Sequence, residues 1–223
     1  MINKVISTIT KYNMIECGSA VVAAVSGGSD SMAMLHILNL IKDDLGFALR
    51  AVHVNHGIRG DEADSDQHFV ESYCSQNGIP LEVLKADVIA ESQKLGMGLE
   101  EAGRKIRYDF FASQGDVIIA TAHNLTDRTE TFLFNFARGS ALRGLGSIPP
   151  VRENYIRPLI DCSKAEIEEY FAAINAAYNH MKIKGMDMRS EVLQAEVDKI
   201  LNPDTPEAIL HPHGEENFVQ RFR

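Results

Sequence analysis

The sequence predicts an α/β fold: a doubly wound, mostly parallel five-stranded sheet with helices on both faces, and a short helical appendage at the C-terminal end. Two observations carry this expectation. Short apolar runs of strand length alternate with amphipathic stretches of helical period between residues 20 and 138, and such alternation implies βαβ crossovers and a parallel sheet. The residues of unusual chemistry also cluster where those strands should end, at 26–31, 53–57 and 123–127, which is where open parallel sheets bind ligands.

The elements follow in order. Residues 20–25, AVVAAV, are apolar throughout, as a strand covered on both faces requires, and Gly27-Gly28 then turns the chain. Met32, Leu35, Leu38 and Ile41 recur near helical spacing. Residues 48–54 read as a second strand, and 61–76 as a charged helix with Phe69, Val70 and Tyr73 on its inner face. A third strand is expected at 81–84, a helix at 99–112, a fourth strand at 117–122 and another amphipathic helix at 126–138. Pro149-Pro150 and Arg157-Pro158 interrupt regular structure and predict a loop before a helix that starts near Ser163. A last helix is expected over 188–201, and Pro203, Pro206 and Pro212 predict an irregular end.

Composition narrows the function classes. At 223 residues, the chain suits one large α/β domain with an appendage, or two small domains. Cys17, Cys74 and Cys162 form no CxxC pair, so neither a zinc knuckle nor a thioredoxin-like redox pair is expected, and buried reduced thiols are. The N-terminal stretch lacks the apolar core of a signal peptide, and nothing approaches a membrane span. A cytoplasmic protein with no membrane contact is the expectation. The formal net charge of −9 argues against a broad basic surface for nucleic acid, so any RNA contact must come from a local patch.

The strongest local signal is Ser26-Gly27-Gly28-Ser29-Asp30-Ser31, which joins the first strand to a helix start. It is not a Walker A loop, because no Gly-Lys-Ser/Thr follows. Two glycines let the backbone approach a ligand, and the free amides of the first helical turn point at an anion. Ser26, Ser29 and Ser31 add hydroxyl donors, and Asp30 is a candidate magnesium (Mg2+) ligand. An isolated Gly-Gly turn with a Ser or Asp cap reads equally as plain helix initiation. The neighbouring residues favour a ligand site: SGGxDS after such a strand resembles the PP-loop of the N-type ATP pyrophosphatases.

Further segments extend the resemblance to one family, tRNA(Ile)-lysidine synthetase. VAAVSGGSDSMAMLHIL is similar to its ATP loop and first helix, and HVNHGIRGDEADSD to its second signature, with Asp66 in a helix behind the loop. GLEEAGRKIRYDFF resembles its EExARxxRY segment, IATAHNLTDRTET its ATAHHxDDQxET segment, and RGSALRGLGSIPP with IRPL completes the series. These segments run from Met14 to Phe171 in the family's order. The resemblance implies an adenine nucleotide alpha hydrolase-like sheet over 1–171 as the ATP pyrophosphatase domain, with 172–223 as a helical or irregular extension. It implies two steps on the wobble cytidine of an isoleucine tRNA with a CAU anticodon. Cytosine O2 attacks the α phosphate of ATP, and the amine of free lysine then displaces AMP.

The resemblance also distributes roles. Asp30, Arg104, His123 and Asp127 are expected to be catalytic; Ser26 to Ser31, His53 and Asn55 to hold ATP; and Arg107, Asp127, Glu130, Arg138 and Arg143 to hold lysine or RNA. Spacing alone leaves alternatives open. Arg104 and Arg107 read equally as a solvated face paired with Glu100 and Glu101, His123 as a structural histidine, and Asp127 with Glu130 as helix-dipole partners. The family's habit suggests a homodimer.

The chain departs from the family pattern in several places. The double histidine is His123-Asn124, the double aspartate Thr126-Asp127, and the glutamine Arg128, which removes a carboxylate and adds a cation beside the expected amine pocket. Ala141 and Ser147 stand where the family usually has glycine. No counterpart of the downstream EDxSN segment follows Phe171, and residues 172–223 carry six Lys/Arg against eight Asp/Glu. RNA contact would then rely on Arg138, Arg143, Arg152 and Arg157. Two other readings remain: a PP-loop adenylating enzyme with a different RNA base or small molecule as substrate, and a nucleotide-binding or interaction protein without turnover.

Overall fold

The computed structural model describes residues 1–57, 60–138 and 147–201. The chain opens with α1 (Ile2–Lys11), and β1 (Ala20–Val25) leads into α2 (Ser29–Leu45), β2 (Ala48–Asn55), α3 (Asp61–Gln76) and β3 (Leu81–Lys85). Two helices, α4 (Val88–Leu95) and α5 (Leu99–Ala112), precede β4 (Ile118–Ala120) and α6 (Leu125–Ala137). A hairpin of β5 (Val151–Arg152) and β6 (Tyr155–Ile156) follows, then α7 (Lys164–Lys184) and α8 (Ser190–Leu201).

The described strands form one sheet in the order β3-β2-β1-β4-β6-β5, parallel except for the β5–β6 pair. The expected five strands become six because the fifth parallel strand, β6, brings an antiparallel partner of two residues at the edge. Pro149-Pro150 and Arg157-Pro158 lie at the two ends of this hairpin, and the turn between its strands uses Glu153 at φ +56. The chain builds outward from β1 to β2 and β3, then returns to the other side of β1 with β4. The order therefore reverses between β1 and β4, the switch point at which such sheets bind ligands.

Alternation along β1 feeds two cores. Val21, Ala23 and Val25 face the larger one, with residues of α1, α2, α3, α7 and α8; Val22 faces the smaller one, with Val52, Ile119, Phe110 and Phe111 of α5. Helix α2 is buried nearly all round, from Met32 to Leu38 and at Ile41, and it stops at Gly46, whose left-handed φ of 68° suits a residue without Cβ. Residue 171, the expected domain boundary, lies inside α7, and Phe171, Ala173, Ala177 and Met181 belong to the same core as α2.

A buried polar cluster docks α8 onto α2 and α3. His36 Nδ1 lies 2.9 Å from the Tyr73 hydroxyl and its Nε2 lies 3.1 Å from Gln194 Oε1. Asn39 donates to Ser190 Oγ at 2.8 Å and Tyr170 to Gln194 Oε1 at 2.6 Å. An amide oxygen only accepts, so His36 carries its proton on Nε2. Burial pushes the His36 pKa down to about 4, so the ring is neutral.

Candidate active site

The bend between β1 and α2 has a fixed shape. Gly27 has φ +93, and a Cβ there would lie 2.9 Å from Cβ of Asp66 on α3, so neither the conformation nor the space admits a side chain. Ser31 Oγ donates to the Gly28 carbonyl at 2.9 Å and accepts from the Ser26 amide at 3.1 Å, while Ser26 Oγ takes the Gly28 amide at 3.3 Å. Ser31 thus braces the loop instead of offering its proton outward. The opening amides of α2, from Ser29 onward, have no intrahelical acceptor and face the cleft at the positive end of the helix dipole.

This bend forms the floor of an open cleft of ≈ 1360 Å³. Its other walls are the end of β2 with His53, Asn55 and His56, the first turns of α3, the α5 face with Arg104, Arg107 and Tyr108, and the β4–α6 junction with His123, Asp127 and Glu130. Residues far apart in the sequence, predicted separately for nucleotide, catalysis and substrate, therefore share one space.

Asp30 is held there at both carboxylate oxygens. Its Oδ1 receives Lys164 Nζ at 2.6 Å and Ser29 Oγ at 3.1 Å, and its Oδ2 receives Asn124 Nδ2 at 3.0 Å. Lys164 and Asn124 thus join the site through Asp30, although the sequence marks neither as a candidate. The available cue for Lys164 was the Ser163-Lys164-Ala165-Glu166 capping box, with Ser163 Oγ accepting from the Glu166 amide at 3.3 Å, which places Lys164 as the first residue of α7. Asn124 was visible only as a departure, and its 1% exposure and three contacts needed the fold.

The histidines differ in what they offer. His53 Nδ1 donates to the Val25 carbonyl at 2.8 Å, which leaves Nε2 as a lone-pair acceptor, buried and without a partner. His123 is half-buried, with Nδ1 3.1 Å from Thr121 Oγ1. Burial first, then the positive charge of Arg157, pushes its pKa below the ordinary range, so the ring is neutral near pH 7. Asn55 lines the cleft, yet its amide is committed inward. It donates to Asp64 at 2.9 Å and Gln67 at 3.0 Å and accepts from the Gly57 amide at 3.0 Å.

Arg104 lies over the Tyr108 ring, 5.0 Å from its centroid, with Nη2 3.5 Å from the Tyr108 hydroxyl, and among the described residues no ion pair engages Arg104 or Arg107, both of which line the cleft. Two fork donors are therefore presented to the cleft from one helix face.

A family model described as a PP-loop domain matches residues 2–180. The chain belongs to the PP-loop family. Its curated relatives include proteins named tRNA(Ile)-lysidine synthase: one from Clostridium tetani, 42% identical over 175 residues, and one from Caldanaerobacter subterraneus, 44% identical over 174. Each alignment covers 76% of this chain but only 38% and 37% of the relative, so the chain spans well under half the length of these proteins. Among solved structures, the U34-tRNA thiolase NcsA from Methanococcus maripaludis superposes with a TM-score of 0.57 at 17% identity, over 97% of this chain and 83% of that one, and shares the fold.

The departures of this PP-loop domain take defined places. Arg128 does not line the cleft: its Nε donates to Ser147 Oγ at 3.2 Å and its Nη1 lies 3.7 Å from Asp161. Two departures, Arg128 and Ser147, thus pair with each other. Thr126 Oγ1 accepts the Lys164 amide at 3.2 Å. Asp127 lines the cleft while its Oδ2 also accepts the Asn124 amide at 3.0 Å, so it caps α6 as well. Arg138 ends α6 over the Phe134 ring, 4.0 Å from its centroid and about 16 Å along the helix from Asp127 at 1.5 Å per residue, outside the cleft. Arg157 is 8% exposed and donates to the Pro149 carbonyl at 2.7 Å, so it cannot serve as a surface contact for RNA. Arg143 lies outside the described residues.

Proposed function

We propose that this chain is the catalytic PP-loop domain of a tRNA(Ile)-lysidine synthetase-type ligase, which adenylates the wobble cytidine of a CAU-anticodon isoleucine tRNA and exchanges AMP for lysine. The observation that carries the reading is the convergence in one cleft of an anion-receiving bend, the arginines Arg104 and Arg107, which no described carboxylate engages, and the carboxylates Asp127 and Glu130. The names of the relatives support the choice of reaction.

The triphosphate of ATP would lie on the opening amides of α2, with the free Nε2 of His53 placed to accept from the adenine amino group. Cytosine O2 bonds to the α phosphorus, the bond to the β-phosphate oxygen breaks, and pyrophosphate leaves. Arg104 and Arg107 counter the charge that builds on the α phosphate. The amine of lysine then bonds to C2, and AMP leaves with the former O2. Neutral His123 is the group placed to take the proton that the amine must lose. Glu130, exposed and on the cleft, would orient the ammonium of the amino acid, with Asp127 beside it.

Asp30 would be the ligand for a magnesium ion, which takes one or two carboxylates and completes its shell with phosphate oxygens and water; its Oδ2 accepts from Asn124 Nδ2 and keeps a second lone pair for the metal. When bound, that ion would neutralise phosphate charge. Among the described residues no cluster of three or more acidic, His or Cys side chains could hold a metal without the nucleotide.

Sulfur transfer is disfavoured by the thiols. Burial pushes Cys74 up to about 12 and Cys162 up to about 11, so both are protonated and poorly nucleophilic. Cys17, against the expectation of buried thiols, is exposed, but none of the three lines the cleft. No described helix is long and apolar enough to cross a membrane. A cytoplasmic location and a homodimer complete the proposal, and the dimer would have a surface to use, since Phe132, Leu133, Phe134 and Phe136 of α6 are exposed.

The test is incubation with labelled ATP, lysine and CAU-anticodon tRNA. AMP, pyrophosphate and lysine linked to cytidine are expected together. AMP that requires tRNA but ignores lysine would point to another nucleophile, and no AMP with nucleotide still bound would sink the enzymatic reading.

A further inference from the structure

Four hydrogen bonds close a ring through the N-terminal ends of three helices. Asn124 Nδ2 donates to Asp30 Oδ2 at 3.0 Å, and Asn124 Oδ1 accepts the Thr126 amide at 2.8 Å. Thr126 Oγ1 accepts the Lys164 amide at 3.2 Å, and Lys164 Nζ returns to Asp30 Oδ1 at 2.6 Å. Asp30 sits in the first turn of α2, Asn124 caps α6 and Lys164 opens α7.

The orientation of the Asn124 amide is not arbitrary. Its oxygen takes the amides of both Thr126 and Asp127, at 2.8 and 3.1 Å, and only an oxygen can do so. The nitrogen must then face the Asp30 carboxylate. Burial to 1% exposure holds this arrangement against water. The Asp127 carboxylate accepts the Asn124 backbone N–H in return, and the Asp127 backbone N–H donates to the Asn124 side chain, so Asp127 is tied at two points to the residue whose side chain holds the Asp30 carboxylate.

Both side chains that bridge the ring, Asn124 and Thr126, stand where the family motif has histidine and aspartate. An aspartate at 126 would still accept the Lys164 amide, so the difference lies at 124, where the amide oxygen takes two helix amides while Nδ2 donates to Asp30, and a histidine would offer a single ring-nitrogen lone pair in place of that oxygen.

We infer that Asn124 is a positioning residue which, together with Thr126, couples nucleotide binding at Asp30 and Lys164 to amine binding at Asp127 and Glu130. This rests on the proposed nucleotide and lysine sites and adds a device between them. A nucleotide that engages Asp30 and Lys164 fixes the first turn of α6 through the ring, which presets the carboxylates that receive the amine. By linkage, the amine must tighten the nucleotide by the same factor.

The experiment is calorimetric titration of a non-cleavable α,β-methylene ATP analogue with magnesium, with and without saturating lysine. It uses the wild-type chain, Asn124→Asp and Thr126→Val, with melting temperatures recorded for all three. Aspartate caps a helix as well as asparagine does, so Asn124→Asp keeps α6 but replaces the donor to Asp30 by a carboxylate. Thr126→Val keeps shape and cuts the ring at a different bond, remote from Asp30. In the wild type, lysine should tighten the analogue by about fivefold or more, the lower end of ordinary coupling. In each variant the factor should fall below about twofold, with melting temperatures showing both still folded. Coupling retained in either variant overturns the inference, as does loss in Asn124→Asp alone, which would mark a local effect on Asp30. A wild type that binds the analogue without responding to lysine also overturns it, and leaves the nucleotide reading standing. A wild type that binds no analogue removes both.

Discussion

Single residues at the β1–α2 bend carry more constraint than their small size suggests. Gly27 meets two demands at once, a φ of +93 and a backbone packed against Asp66, so Gly27→Ala adds left-handed strain to a 2.9 Å clash. A stability loss of about 2 kcal/mol is expected by chemical denaturation, with nucleotide affinity reduced at least about tenfold; a variant that binds nucleotide normally would show that the bend tolerates another shape. Lys164 is a different case. Its side chain is 40% exposed, and exposed ion pairs contribute about 1 kcal/mol or less, so Lys164→Met should fold normally. Its place beside Asp30 and Ser29, on the cleft, predicts at least a tenfold rise in the KM for ATP in pyrophosphate-release assays, and because its bond to Asp30 closes the ring, the KM for lysine should rise by no more than the coupling factor of about fivefold. An unchanged KM for ATP would restrict Lys164 to holding Asp30 in place.

Among the elements, β1, α3 and α5 were legible residue for residue, because a fully apolar run and two helices with clear inner faces leave little freedom. Helices α1 and α4 were not, since α1 buries only a narrow stripe of Val5, Thr8 and Ile9, and α4 rests on the Asp87 cap and the single buried Val88. The loops at the strand ends exposed most of the cleft, whereas Asn55 looked like a ligand contact and proved to be a brace. Such a distinction depends on Asp64 and Gln67, which only the folded α3 brings within reach. The docking of α8 through His36 was equally invisible, and it has a pH signature. His36 titrates at about 4 when folded and near 6.5 when unfolded, so between those values the unfolded chain binds the extra proton and stability must fall as pH falls. Urea unfolding at pH 7 and at pH 4 should differ by about 3 kcal/mol from this group, and burial of His53, His56 and His123 pushes in the same direction. In His36→Phe, stability at pH 7 should drop while the acid limb flattens; an acid limb as steep as in the wild type would assign the proton uptake elsewhere.

For the molecule as a whole, charge sets a limit on how the proposed tRNA substrate could be held. The net charge is −9, and Arg157, Arg128 and Arg189 are taken up by contacts with Pro149, Asp161 and Asp187. Among the described residues that leaves, as exposed arginines, Arg104 and Arg107 on the cleft, Arg138 at the end of α6 and Arg152 beside Glu153 on β5. A polyanion bound by so few cations releases few counterions, since each neutralised phosphate contributes about 0.7 to 0.9 to the slope of log affinity against log salt. The tRNA affinity of this chain should therefore fall with salt at a slope no steeper than about −4, and binding at 0.2 M salt should already be weak. Alanine at Arg138 should make that slope shallower by about 1 without altering lysine-independent ATP binding, as expected for a phosphate contact remote from the cleft. A slope of about −8 would mean that a broad basic footprint exists beyond these four residues, and the local-patch account of RNA binding would have to be abandoned.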